Sequence, residues 1–131
     1  MHGRIEFTLL DADEDMALYD GEPFSGIAYS LYLNGRLRSE HPFRNGFEEG
    51  LCRDWHENGQ LAAKWSAARG QATRLLEWFE SGIVKCAGRY EYGVELAYKE
   101  WNDQGDLIVE RVIAADSPLH KYIERRRKEG W

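Results

Sequence analysis

Only two cysteines occur in 131 residues. That is too few for a disulfide scaffold, and two thiols do not build a zinc site alone. No apolar run approaches the roughly 20 residues needed to span a bilayer. The opening MHGRIEFTLLDADED has no long apolar region and turns acidic by Asp11, so it does not read as a signal peptide. A cytoplasmic location with reduced thiols is the expectation. Basic charge is also short: 17 Lys+Arg stand against 23 Asp+Glu, for a net charge of −6. Direct nucleic-acid binding needs a basic footprint, which this balance does not supply.

Catalytic signatures are equally scarce. There is no phosphate-cradling or dinucleotide glycine loop and no G-x-S-x-G elbow. The histidines, His2, His41, His56 and His120, show no metal-ligand spacing. Cys52 and His56 share a strand face, but a spacing of four puts them about 13 Å apart, too far for one ion. Shifted acid/base pairs need a concave, water-poor site, which a thin sheet does not offer. The expectation is no enzyme, no cofactor and no metal.

What the sequence does have is an ordered, unevenly charged body. Hydrophobic residues make up 43% and aromatic residues 13%, which excludes a disordered chain. Residues 1–115 carry 12 basic and 20 acidic side chains, whereas residues 116–131 carry 5 basic and 3 acidic. The body is strongly acidic and the tail mildly basic.

Periodicity is the strongest signal. Gly35, Gly59, Gly82 and Gly105 recur at steps of 24, 23 and 23 residues, in the contexts YLNGRL, HENGQL, FESGIV and NDQGDL. Two residues after each glycine stands Leu37, Leu61, Val84 or Leu107. Four before stands Leu31, Trp55, Trp78 or Trp101. Periods of 20–50 residues mark repeat architectures. Asn-Gly between aromatic and β-branched runs is a hairpin signal, and a type I′ turn suits Asn34-Gly35 and Asn58-Gly59, while Ser81-Gly82 and Gln104-Gly105 suit a longer turn with glycine in the left-handed position. Looser turns are expected at 45–49, 70–73 and 92–95. The pattern predicts strands near 27–33, 36–43, 51–57, 60–67, 75–80, 83–90, 97–102 and 106–113. Segment 4–10 should add an N-terminal edge strand. Ser117-Pro118 reads as N-cap and first helical residue, so a helix falls within 116–130, with Leu119, Tyr122 and Ile123 on one face. The expected fold is mainly β: an antiparallel meander of about four hairpin repeats with a short C-terminal capping helix. All of it forms one domain over 1–131, with 1–18 as strand and acidic loop, 19–113 as repeats and 116–130 as helix.

Side chains two apart share a strand face. Simple alternation places Trp55, Trp78 and Trp101 with Phe43, Ala67, Tyr90 and Ile113 on a core face. It leaves Asp54, Glu77 and Glu100, with Ser30, on the opposite one. Beside this acidic column runs a second of Tyr32, His56, Phe79 and Asn102. Tyr32, Asp54, His56, Glu77, Phe79 and Glu100 are therefore the candidate partner-binding residues. The plainer reading is a solvated face. Trp65 and Trp131 lie outside the tryptophan register.

The units GEPFSGIAYSLYLNGRLRSEHPFRN and GFEEGLCRDWHENGQLAAKWSAAR resemble MORN-type repeats, most closely the variant branch of the bacterial YwqK-family antitoxins. The resemblance covers about residues 19–113. The third unit has Arg74, and the fourth Ala97, where the pattern has its second glycine. The resemblance implies a hairpin array that binds rather than catalyses, and it transfers no catalytic residue. It implies an antitoxin or immunity protein that neutralises a cognate toxin; the acidic charge suits a toxin with a basic surface, whose active site the protein would occlude as a monomer or weak homodimer. The alternative it leaves open is a MORN-type scaffold or peripheral membrane module, although the acidic body would be repelled by anionic lipid.

Overall fold

The structure, a computed structural model, describes residues 3–130; Trp131 lies outside them. It is mainly β. Strands run β1 Arg4–Glu6, β2 Asp11–Asp13, β3 Met16–Tyr19, β4 Glu22–Pro23, β5 Gly26–Leu31, β6 Leu37–Arg44, β7 Phe47–Glu48, β8 Gly50–Trp55, β9 Leu61–Ala68, β10 Gln71–Trp78, β11 Val84–Glu91, β12 Val94–Trp101 and β13 Leu107–Val112. The helix α1 spans Pro118–Lys128. The main sheet follows the order β1-β5-β6-β8-β9-β10-β11-β12-β13, with β7 paired to β6. Four hairpins, β5/β6, β8/β9, β10/β11 and β12/β13, thus form the expected meander.

The N-terminus departs from the expectation. Segment 4–10 is a strand only to Glu6; Phe7–Leu9 form a 3-10 turn. β1 pairs with β5 in parallel, the one parallel pairing among the described strands. Residues 11–23 form a separate three-stranded sheet, β2-β3-β4, where an acidic loop was expected. This small sheet is tied to the main one by Ala17 N–H to Gly46 O and Gly46 N–H to Phe24 O, both 2.8 Å.

The turns at Gly82 and Gly105 have the expected left-handed glycine, whereas those at Gly35 and Gly59 and the looser turns at the other ends differ from the expectation. At the four repeat glycines only the glycine has positive φ, at +84° to +92°. Gly35 N–H donates to Tyr32 O, and Tyr32 N–H to Arg36 O; the same pair of bonds recurs at 56–60, 79–83 and 102–106. This is a type I turn followed by a left-handed glycine, not type I′. Asn34 is kept out of the left-handed region because its Oδ1 accepts from Arg36 N–H at 2.9 Å, as Asn58 Oδ1 does from Gln60 N–H at 3.0 Å. The paired positive φ of type I′ occurs at the opposite ends, at Asp20-Gly21, Asn45-Gly46, Arg69-Gly70 and Tyr92-Gly93.

Next to every repeat glycine lies a β-bulge. Asp54 pairs with Ala63 but Trp55 with Leu61, so Ala62 is extra. Arg38, Lys85 and Ile108 are the extra residues in the other hairpins. Each is the third residue after its glycine. A bulge adds one residue to one strand and reverses the faces beyond it. The expected core face is corrected accordingly. Phe43, Ala67 and Tyr90 do not join the tryptophans; they share a face with Asp54, Glu77 and Glu100. That face holds the buried residues Ala28, Cys52, Ala63, Ala67 and Cys86, whereas Trp55, Trp78 and Trp101 are half-buried on the other. One layer buries residues by laying large side chains over small ones. Trp65 lies opposite Cys52, and a Cβ on Gly88 would meet the Tyr90 ring at 2.7 Å.

The helix starts as expected, with the Ser117 hydroxyl accepting from Leu119 N–H and Pro118 in the first turn. Ile123 is buried, but Leu119 is 54% exposed and does not share its packing. Arg127 is bonded through Nη2 to Glu91 Oε1 at 2.9 Å, which straps the helix to β11.

A Cβ on Gly105 would touch nothing within 4 Å, yet its φ is +86°. Gly105→Ala should therefore cost about 1–2 kcal/mol of unfolding free energy from backbone conformation alone. Gly88, with no positive φ, should lose stability on substitution by Ala because of the Tyr90 ring. Urea denaturation of both variants, with Tyr90→Leu added to each, checks this: the second change should relieve Gly88→Ala and leave Gly105→Ala untouched.

Candidate functional site

The acidic column lies on one sheet face, one residue per repeat, as its spacing requires. Each member has an intramolecular partner. Asp54 Oδ1 accepts from His41 Nε2 at 2.9 Å. Glu77 Oε2 accepts from the Cys86 thiol at 3.0 Å. Glu100 Oε1 accepts from the Tyr98 hydroxyl at 2.7 Å. Ser30, in the same register, shares a hydrogen bond with Ser39. Cys86 is the pairing partner of both Glu77 and Glu100, so two carboxylates flank its thiol. Burial, reinforced by Glu77, pushes that thiol up to about 12. The Tyr98 hydroxyl is held well above its ordinary range by its bond to Glu100, with burial adding to this.

The neighbouring column turns out to join repeats together. The Tyr32 hydroxyl donates to Trp55 O at 2.6 Å, and His56 Nε2 donates to Trp78 O at 2.8 Å. Both bonds reach one unit ahead. Asn58 Nδ2 follows the same route to Glu80 O at 3.2 Å. Phe79 has no donor to continue the series, and the Lys85 ammonium stands 5.8 Å from its ring. Asn102 spends Oδ1 on Gln104 and Asp106 N–H groups of its own turn. The turn glycines Gly35, Gly59, Gly82 and Gly105 sit at the edge where these bonds originate. Along that edge Glu57, Glu80 and Asp103 are exposed, two residues before Gly59, Gly82 and Gly105. This second acidic row is legible in the repeat alignment, inside the turns of three of the four units.

A cluster at the start of the sheet was missed. His41 from β6 lies between Asp54 and Glu48: its Nδ1 is 3.1 Å from Glu48 Oε2, a close ion pair without hydrogen-bond alignment. Trp65 Nε1 donates to Glu48 Oε1 at 3.3 Å. The imidazole is clamped edge-on by Trp65, at 4.8 Å between centroids, and by Phe7 at 5.1 Å. Burial alone would lower the His41 pKa, but Asp54 and Glu48 outweigh it and raise it to about 9. Burial would raise Glu48, yet His41 holds it below the ordinary carboxylate range. Cys52, fully buried beside them, is pushed far up by burial and then by Glu48. His56, four residues from Cys52, is instead committed to Trp78.

Fold and face together define a class: a one-layer array of β-hairpins with an acidic face and an acidic turn edge. No family model matches the chain. It is 34% identical over 121 residues to the immunity protein YwqK of Bacillus subtilis strain 168, over 92% of this chain and 77% of that protein. The chain belongs to the YwqK immunity-protein family. Among solved structures, a GtfA/B complex bound to UDP and GlcNAc matches 90% of this chain at 13% identity and a TM-score of 0.35. The chain spans 26% of that protein's length, and a likeness so slight carries no argument.

His41 gives a signed pH prediction. Its folded pKa of about 9 exceeds the ordinary 6.5, so its contribution is full below pH 6.5 and is lost as pH rises through 9. In EDTA-containing buffer, the unfolding free energy should fall across that window by roughly 2 kcal/mol more than in His41→Gln. Parallel curves for the two proteins would show that His41 is not held as an imidazolium.

Proposed function

We propose that this protein is an immunity protein that binds a cognate toxin through the acidic face of its sheet and blocks the toxin's active site, with no catalysis of its own. The observation that carries this reading is the similarity to YwqK along 92% of the chain. The repeat unit is of the MORN type, and the protein acts in the cytoplasm as a monomer or weak homodimer. The partner is a toxin domain with a basic surface, since a net charge of −6 favours a basic cleft and speeds encounter with it. Exposed Glu57, Glu80 and Asp103 steer the approach. Asp54, Glu77 and Glu100 make the contact, with Tyr32, His56 and Phe79 alongside. The absence of catalysis is supported by the two thiols: both are buried and held protonated, so neither is a ready nucleophile. The scaffold or membrane reading draws on the basic residues of the helix. Of these, Arg127 is ion-paired to Glu91 and Arg125 lies over the Tyr122 ring, which leaves less of that charge for lipid.

Affinity capture at low salt from the native host should return one stoichiometric partner with a basic domain. Kinetics with that partner then separate edge from face. Reversing Glu57, Glu80 and Asp103 to Lys should slow association at least tenfold at low salt, with less effect at high salt. The isosteric Asp54→Asn, Glu77→Gln, Glu100→Gln variant should chiefly speed dissociation. Unchanged rates in both would sink the surface assignment. Flotation of the protein with anionic vesicles, and no protein partner, would favour the membrane reading.

A further inference from the structure

Three side chains able to ligate a metal converge from three strands. His41 of β6, Glu48 of β7 and Cys52 of β8 each bring one ligand atom within 4.8 Å of the other two. We propose that this cluster binds one divalent ion of the zinc class, through His41 Nδ1, a Glu48 carboxylate oxygen and Cys52 Sγ. The proposal is independent of toxin binding.

The outer contacts of the cluster are those of a ligand set. A metal-bound histidine needs its far nitrogen held by an acceptor, which fixes the tautomer and raises ligand basicity. Asp54 Oδ1 does this at His41 Nε2, at 2.9 Å, and so turns Nδ1 toward Glu48 and Cys52. Nδ1 is buried and makes no aligned hydrogen bond, although Glu48 Oε2 is 3.1 Å away. Trp65 Nε1 holds the other Glu48 oxygen at 3.3 Å. Phe7 and Trp65 fix the imidazole plane from two sides. His41 and Glu48 are therefore already oriented by neighbours that do not themselves ligate, and Cys52 is placed by its strand opposite Trp65.

Ligand type selects the ion. One nitrogen, one oxygen and one sulfur suit zinc, while magnesium and calcium prefer oxygen alone. Ligand atoms around a tetrahedral zinc stand roughly 3.3–3.6 Å apart. The ligand atoms, within 4.8 Å of one another, would have to draw closer by up to about 1.5 Å on binding. The exchange balances in protons and charge, although both protons are firmly held. The entering ion displaces the Nδ1 proton of the His41 imidazolium and the thiol proton of Cys52, and both go to solvent. Two positive charges enter and two leave, so the buried cluster keeps its net charge. In the metal-free protein the His41 proton stands where the ion would sit. The Glu48 side chain, 26% exposed, gives the way in.

The test uses full-length protein stripped with chelator and titrated with Co²⁺ or Zn²⁺ alone. Co²⁺ should produce a thiolate-to-metal charge-transfer band that saturates at one equivalent. Cys52→Ser should abolish the band and Cys86→Ser should keep it. Zn²⁺ should compete the Co²⁺ away and raise the unfolding temperature of wild type. Asp54→Asn, which leaves all three ligands in place, should weaken Zn²⁺ about tenfold or more. A band that survives Cys52→Ser, or no thiolate band in wild type at excess Co²⁺, overturns the proposal. The wild-type result decides the matter even where a variant fails to fold.

Discussion

A left-handed backbone at one glycine per hairpin is the constraint from which the rest follows. Only glycine holds φ near +85° without a Cβ penalty. With the glycine there, the turn closes as type I and the second residue after it faces the tryptophan or leucine four before it. The next residue has no partner, and it becomes the bulge at Arg38, Ala62, Lys85 and Ile108. That one displaced residue reverses the remainder of every returning strand. It brings Ser39, Ala63, Cys86 and Val109 opposite Ser30, Asp54, Glu77 and Glu100. The pairing of acidic side chains with small or thiol ones is thus a consequence of turn geometry.

A one-layer sheet has little room for a hydrophobic interior, and this one compensates in two ways. Large aromatics lie over Ala, Cys and Gly neighbours on the same face, and at the N-terminal end Phe7 and the fully buried Phe24 add to this cover. Polar side chains also complete backbone hydrogen bonds between adjacent units, as Tyr32 and His56 do. Such bonds satisfy carbonyl groups at strand ends that a thin sheet would otherwise leave to solvent. The acidic face combines both devices: every carboxylate in its column is matched to a donor, and the face remains negative.

Much of the architecture was legible because it is local. The 23-residue step, the turn glycines, the hairpin order and the Ser117-Pro118 helix start all depend on residues close in the chain. What escaped has non-local or silent causes. The bulges leave no mark in alternation, since Ala62 and Lys85 are unremarkable strand residues. The type I′ turns at Arg69-Gly70 and Tyr92-Gly93 place residues in the left-handed region that have no preference for it. The 11–23 sheet is held by backbone bonds to Gly46 and Phe24 that acidic composition conceals. His41, Glu48 and Cys52 meet only through the register of β6, β7 and β8. Cys52 and His56 are close in sequence, yet His56 is bonded to the Trp78 carbonyl of the next unit. The candidate face was readable as a column; its partners, His41, Cys86 and Tyr98, were not.

The strap from Arg127 to Glu91 has a mechanical consequence. The side-chain bond that links one unit to the next fails at Phe79, so the last hairpin is joined to the array by strand pairing without it. The helix follows that last hairpin, yet it reaches back past it to grip β11. The terminal hairpin is thereby held between the strand before it and the helix after it, like a page inside a clasp. At the other end Arg4 of β1 reaches across β5 to Glu40 of β6 in the same manner. A linear stack would peel from its ends unit by unit. Clasped at both termini, this one must release a distant contact before either end can lift, which couples its outer hairpins to the interior and makes unravelling a collective event.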